Sequence, residues 1–361
     1  ASLLSGISPD AHHLIDTGAM LSASVETLGA MAKNRSVRAA FFTSVPNTFE
    51  FFGFGAQWER FTPYPPNSGA SVIQPLIDAF GFVSSAAEPD ERPTFALVHL
   101  RGGHPPWEVT PDEARDLPPD DYSGAITPRR SAQQLAAAQG RFSRFSEADR
   151  ERMDAMFYVS LAKQDSALRG VIDSLDEAGL YHQTLFVVTA DVGSARSTLF
   201  RDGLPLDPDR LALPLYVHFP EGRFAGERVV EPTEMVDVTA TVVEALELQP
   251  SRTLEGISLH RTASGSRSGQ RIRVAYLDQT FFAQWGEFAI YGERGERPHL
   301  CQLALDPLCR VDRRHLFPHT AQALNWRLSA YLDGQKNTRY ERMPLRLSSD
   351  AAAILKVWGI Y

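Results

Sequence analysis

The run Thr184-Leu185-Phe186-Val187-Val188-Thr189-Ala190-Asp191-Val192-Gly193 constrains this chain more than any other stretch. Its β-branched and apolar residues leave no polar face, the pattern of a strand buried on both sides within a largely parallel sheet. The run closes on Asp191 and, two residues later, Gly193, so the strand delivers a carboxylate to the top edge of the sheet. That edge is where open α/β proteins keep their chemistry. Immediately upstream lies the longest helical pattern, Glu147 to Gly179, with Met153, Phe157, Leu161, Leu168, Ile172 and Leu175 on one side and Gly179 placed to stop it.

The same alternation recurs along the chain. Met20 to Lys33 carries Leu21, Val25, Leu28 and Met31 at helical spacing, and Val37 to Val45 follows as a strand. Ala70 to Phe82 predicts a helix and Thr94 to Leu100 a strand, closed by Arg101-Gly102-Gly103-His104-Pro105-Pro106-Trp107, whose glycines and prolines force a loop. Residues 108–146 are polar and suit an excursion over the sheet edge. Pro214 to Phe219 predicts a strand, and Thr233 is placed to cap a helix with the stripe Met235, Val238, Val242 and Leu246. Past Gly256 the character changes to short strands at Arg271 to Leu277, Glu287 to Gly292 and Leu300 to Leu305, then a helix from Thr320 to Leu332. The expected architecture is therefore a doubly wound α/β domain over residues 1–260 with a mostly parallel sheet, and a small C-terminal antiparallel α+β subdomain with terminal helices over 261–361.

A net charge of −8, with 36 basic residues scattered along the chain, argues against a nucleic-acid surface. No window reaches the 18 or so consecutive apolar residues of a membrane-spanning helix. The start reads as mid-domain sequence without a signal peptide, so a segment upstream of Ala1 could carry a targeting signal. Cys301 and Cys309 are the only cysteines. A strand-turn geometry could bridge them, in keeping with an oxidising compartment; two buried free thiols are the alternative.

Several segments, in order, resemble the sulfatase family of the alkaline phosphatase superfamily. Ala1-Ser2-Leu3-Leu4-Ser5-Gly6-Ile7-Ser8-Pro9 through His12-His13 resembles the stretch after the family's nucleophile motif. Phe95 to Leu100 with His104-Pro105-Pro106-Trp107 resembles the strand and loop carrying an active-site histidine. Tyr158 to Leu180 with the 184–193 run, Leu213 to Pro220, Val236 to Thr241, Leu254 to Leu259, Leu300 to Pro307 and Leu355 to Tyr361 resemble later family segments.

The resemblance implies an ester hydrolase in which a divalent cation, calcium or magnesium, activates a nucleophile while histidines and lysines neutralise the sulfate. It places the nucleophile and the first pair of metal-binding aspartates upstream of Ala1. Asp191 matches a metal aspartate, but the family follows it with His or Asn, and here stands Val192, which has no lone pair to give. His104 matches the histidine that contacts the sulfate or the leaving-group oxygen. Where the family has His-Gly, this chain has Ala195-Arg196, so Arg196 is a candidate cation for an oxyanion. Thr43 to Thr48 lacks the lysine and histidine expected after the preceding strand, and His12 and His13 fall where a histidine shapes a turn.

Two functions follow as expectations. One is a pseudo-sulfatase, keeping a pocket for a small anionic, sulfated or phosphorylated ligand. The other is an active metal-dependent sulfatase or phosphatase-type hydrolase whose nucleophile segment is missing from this chain. A carbohydrate-binding module would require Trp58, Trp107 and Trp285 to line one cleft. Loss of a central strand leaves apolar edges exposed, which predicts a retained N-terminal segment, a rearranged sheet or a homo-oligomer. By resemblance to bacterial family members the location is periplasmic or extracellular.

Overall fold

The computed structural model describes residues 1–14, 18–66, 70–85, 92–138, 144–193, 206, 211–265, 271–277, 279–335 and 340–359. In chain order the elements are α1 (Ser2–Ser5), α2 (Pro9–His12), β1 (Ala19–Met20), α3 (Leu28–Asn34), β2 (Arg38–Thr43), β3 (Arg60–Pro63), α4 (Gln74–Ser84), β4 (Thr94–His99), α5 (Pro111–Arg115), α6 (Ser131–Ala137) and α7 (Glu147–Glu177). There follow β5 (Phe186–Thr189), β6 (Leu215–His218), α8 (Met235–Ala245), α9 (Leu259–Ala263), β7 (Arg273–Leu277), β8 (Thr280–Trp285), β9 (Phe288–Glu293), β10 (His299–Gln302), α10 (Pro318–Gln335), β11 (Met343–Pro344) and α11 (Ser349–Trp358). Among the described residues no helix is long and apolar enough to cross a membrane. The described residues form two compact units, one within Ala1–Met31, Leu185–Ser194 and Gly203–Leu345, the other within Ala32–Thr184 and Arg346–Tyr361.

The second unit holds the parallel sheet, in the order β3-β2-β4, with Ala40 opposite Arg60 on one side and Ala96 on the other. β2 is central because Ala39 to Phe42 are apolar on both faces, and all four are buried. Phe42, Tyr64, Ala79 and Phe82 form one core under α4. On the other side Phe41 meets Trp58 and Phe61 at ring distances of 5.3 and 5.5 Å. α7 starts at a reciprocal capping box between Ser146 and Asp149 and ends where Gly179 adopts φ +69, which frees the Leu180 amide to bond the Leu175 carbonyl. Its Met153 and Met156 are fully buried against Trp107, Val109 and Ile126.

In the first unit β5 and β6 pair antiparallel, Phe186 opposite His218. β7 to β10 form an antiparallel meander in the order β10-β9-β8-β7. Strand alternation divides its two faces. Phe281, Ala283, Ile290 and Leu300 pack on Ala321, Leu324 and Leu328 of α10. Phe282, Ala289 and Cys301 face Leu206 and Cys309, and Cys301 is bonded to Cys309.

The elements differ from the sequence expectation in several places, among them β3, which forms where a loop was expected. The helix expected from Met20 begins only at Leu28, because the Ser22 hydroxyl accepts the Ser24 amide at 3.3 Å and turns the chain out of helical register. Glu234, rather than Thr233, caps α8, in a reciprocal pair with Asp237. β8 has no counterpart in the sequence reading, since Phe281, Phe282 and Ala283 are all buried and show no alternation.

Asp237 anchors a buried charge cluster at the start of α8. Its carboxylate accepts the amides of Glu234 and Ile257, each at 2.7 Å, and Arg271 Nη2 at 2.6 Å. Arg271 Nε lies 2.8 Å from Glu234. Gly256 is required there, since a Cβ would fall 2.0 Å from the Val236 carbonyl oxygen. The clasp reaches the N-terminal residues through Glu255, whose side chain accepts the Ser8 amide at 3.1 Å, and Thr239, which donates to the Leu3 carbonyl at 2.6 Å.

Candidate functional site

His104 sits on the loop leaving the carboxyl end of β4, in the second unit, and that loop is tied down along its length. Arg101 Nη1 donates to the Pro106 carbonyl at 3.2 Å, and Nη2 faces Glu108 at 3.7 Å. Burial pulls the Arg101 guanidinium below its ordinary value, partly offset by Glu108. Gln164 of α7 accepts the Gly102 amide at 2.9 Å and donates to its carbonyl at 2.7 Å. The Trp107 indole donates to the Gly103 carbonyl at 2.9 Å. Gly103 presses on Phe157 so closely that a Cβ would lie 1.9 Å from its ring.

Within this frame the imidazole has a defined pose. Its Nδ1 lies 2.5 Å from the Pro105 carbonyl oxygen. A carbonyl only accepts, so Nδ1 carries the proton and Nε2 is the second functional atom of the ring. One ring face stacks on Trp358, centroids 4.2 Å apart and planes 5° from parallel. The His104 side chain itself is exposed.

Asp191 stands beyond β5, in the first unit, at an exposed position. Val192 beside it is 51% exposed. The structure therefore describes His104 and Asp191 in different units, and Arg196 falls outside the described residues, as do Ala195 and Thr198 to Asp202. A hard cation takes six or more ligands, oxygen donors and water included. Asp191 supplies a carboxylate, Val192 supplies none, and among the described residues no three His, Cys, Asp or Glu side chains gather at metal-binding distance. The described residues do not fit the divalent cation of the family.

His12 behaves as the turn-shaping histidine the sequence suggests. Its Nδ1 accepts the Leu14 amide at 3.1 Å, so in the neutral ring Nε2–H donates to Ser2 Oγ, 3.0 Å away. Burial holds it well below the ordinary histidine value. The pair cannot act as base and nucleophile, because the base's proton already points at the hydroxyl. Of the three tryptophans, Trp107 is buried in the α7 core, Trp58 packs on Phe41 and Phe95, and Trp285 belongs to the first unit. Gln164 and Trp358, which shape the His104 loop, escaped the sequence reading. Gln164 looked like one polar residue in a long helix, and Trp358 lies 254 positions beyond its partner.

A sulfatase family model matches residues 1–248. The chain belongs to the sulfatase family. No curated protein sequence matches it. Among solved structures, a phosphonate monoester hydrolase of Agrobacterium radiobacter is similar over 92% of this chain and 85% of its own, at 17% identity and a TM-score of 0.69. BT4656, solved with its substrate D-glucosamine-2-N,6-O-disulfate, is similar over 93% of this chain and 87% of its own, at 12% identity and a TM-score of 0.74. A Vibrio parahaemolyticus protein of the alkaline phosphatase superfamily covers 92% of this chain and 75% of its own, at 15% identity and a TM-score of 0.57. At such identities the likeness is one of fold.

Proposed function

We propose that this chain is a pseudo-sulfatase, which keeps the family scaffold and the His104 loop as a recognition surface for a small sulfated or phosphorylated anion and does not hydrolyse it. One observation carries the reading. Val192, exposed at the end of β5, fills the position next to Asp191 where the family places a polar metal ligand. The sequence change from His-Gly to Ala195-Arg196 points the same way, leaving Arg196 as a possible cation for the anion and His104 as a hydrogen-bonding partner.

The second reading is an active hydrolase dependent on calcium or magnesium. It is favoured by the firm hold on His104, which keeps a proton-transfer group oriented at modest entropic cost. Metal analysis of the purified protein, with assays on aryl sulfates and phosphate monoesters, separates the two. The expected result is no bound divalent cation and no turnover. Stoichiometric calcium, with turnover abolished by His104→Ala, overturns the pseudo-sulfatase reading.

The Cys301–Cys309 bond supports a periplasmic or extracellular location. β4 and β5 are edge strands among the described residues, and both are apolar. Their edges support pairing with a further strand, from a retained N-terminal segment of the same polypeptide or from a second copy of the chain.

A further inference from the structure

We propose that Trp358 is a positioning residue for His104, and that α11 thereby forms a fixed wall of the anion-recognition surface. This rests on the pseudo-sulfatase reading only for the identity of the anion. The loop backbone is set by Arg101, Gln164 and Trp107, but none of these contacts fixes rotation of the imidazole about its own bond. Two contacts do. The Nδ1–H bond to Pro105 selects the tautomer, and the parallel stack at 4.2 Å on Trp358 selects the ring plane. Together they turn Nε2 to the side of the ring opposite Pro105.

Trp358 is itself immobilised, being 3% exposed. α11 begins at Ser348, whose hydroxyl accepts the Ala351 amide at 3.2 Å, and packs on α6 and on the 3-10 turn Pro46–Thr48. It ends at Gly359, with φ +84, where a Cβ would sit 2.7 Å from the Ala132 carbonyl oxygen. The turn at Pro46–Thr48 follows β2 and the His104 loop follows β4, so α11 contacts what leaves the carboxyl ends of two parallel strands. That edge is where this class of sheet places its ligands. An anion at Nε2 draws the ring toward the imidazolium, and the indole π face accommodates that charge.

The test compares the intact chain with Trp358→Phe, which keeps an aromatic face, and Trp358→Leu, which keeps apolar bulk without one. Imidazole 15N shifts are recorded with and without inorganic sulfate and phenyl sulfate, and circular dichroism reports folding. The expected result is that the Phe variant keeps the Nδ1–H tautomer and binds like the parent. The Leu variant, still folded, gives a tautomer mixture and binds sulfate roughly fivefold more weakly. Unchanged shifts and affinity in the Leu variant overturn the proposal, as does equal loss in both variants, which would mark Trp358 as packing alone. If the parent binds neither sulfate nor phenyl sulfate, the pseudo-sulfatase reading fails while the 15N shifts still decide the role of Trp358.

Discussion

Glu234 should contribute a stability that falls as pH rises. Burial pushes its carboxyl from an ordinary 4.5 up to about 7, against the attraction of Arg271 and with the help of the Asp237 charge. The folded state thus binds a proton that the unfolded state has already released between those two values. Stability is greatest below pH 4.5 on this account, declines as pH climbs through 7, and levels off above. The full shift corresponds to about 3 kcal/mol, at about 1.4 kcal/mol per unit. From pH 5.5 to 8.5 the loss is about 2 kcal/mol, since part of it has occurred by pH 5.5. His12 opposes this trend. It is held neutral by burial, so its contribution is complete above 6.5 and is lost as pH falls below that value. Glu234→Gln separates the two, because glutamine keeps the shape and the polar cap of α8 but does not titrate. Urea unfolding of parent and variant at pH 5.5 and 8.5 should give a difference that moves against the parent by about 2 kcal/mol as pH rises. A difference constant within about 0.5 kcal/mol, or one moving in favour of the parent, would refute the reasoning.

Reducing the Cys301–Cys309 bond, or replacing both with alanine, closes no loop in the unfolded chain and should cost about 2–3 kcal/mol, read as a lower urea midpoint with and without dithiothreitol. Gln164→Ala leaves the Gly102 amide and carbonyl without their reciprocal partner and should cost about 1–3 kcal/mol, with faster hydrogen exchange at that amide. Gly103→Ala forces Phe157 from its place and should cost about 1–3 kcal/mol; a crystal structure would show the Phe157 ring displaced.

The parts of the fold legible in the sequence are those with one dominant period. α7 combined a helical stripe with the Gly179 stop, and its observed limits, Glu147–Glu177, fall within two residues of the reading, while the Ser146 cap was seen only in the structure. The β5 run announced itself through consecutive β-branched residues, but its direction against β6 did not, because pairing sense is not written in either strand's own pattern. Leu21 and Val25 carry helical spacing and are buried, yet a serine hydroxyl bonding its neighbour's amide overrode the pattern. The place of His104 on a loop leaving a strand was legible from loop composition and family resemblance. Trp358 was not, since a contact spanning most of the chain leaves no mark on local spacing.

The placement of Asp191 and Val192 bears on how the scaffold would tolerate the changed centre that the proposed function implies. A metal-binding cluster of carboxylates is a standing cost without its ion, since like charges held together repel and desolvation penalises each of them. Asp191 is exposed and interacts electrostatically with the Ala1 amino group, and the exposed Val192 adds no charge, so the pair carries little of that cost. The His104 loop, in turn, is held by a buried arginine, a glutamine and two tryptophans, all of them protein groups. Its geometry therefore needs no ion as a template. On the pseudo-sulfatase reading, substitution at the metal positions would remove chemistry at small energetic expense while the His104 loop is kept, the separation of site from fold that lets one architecture host different functions.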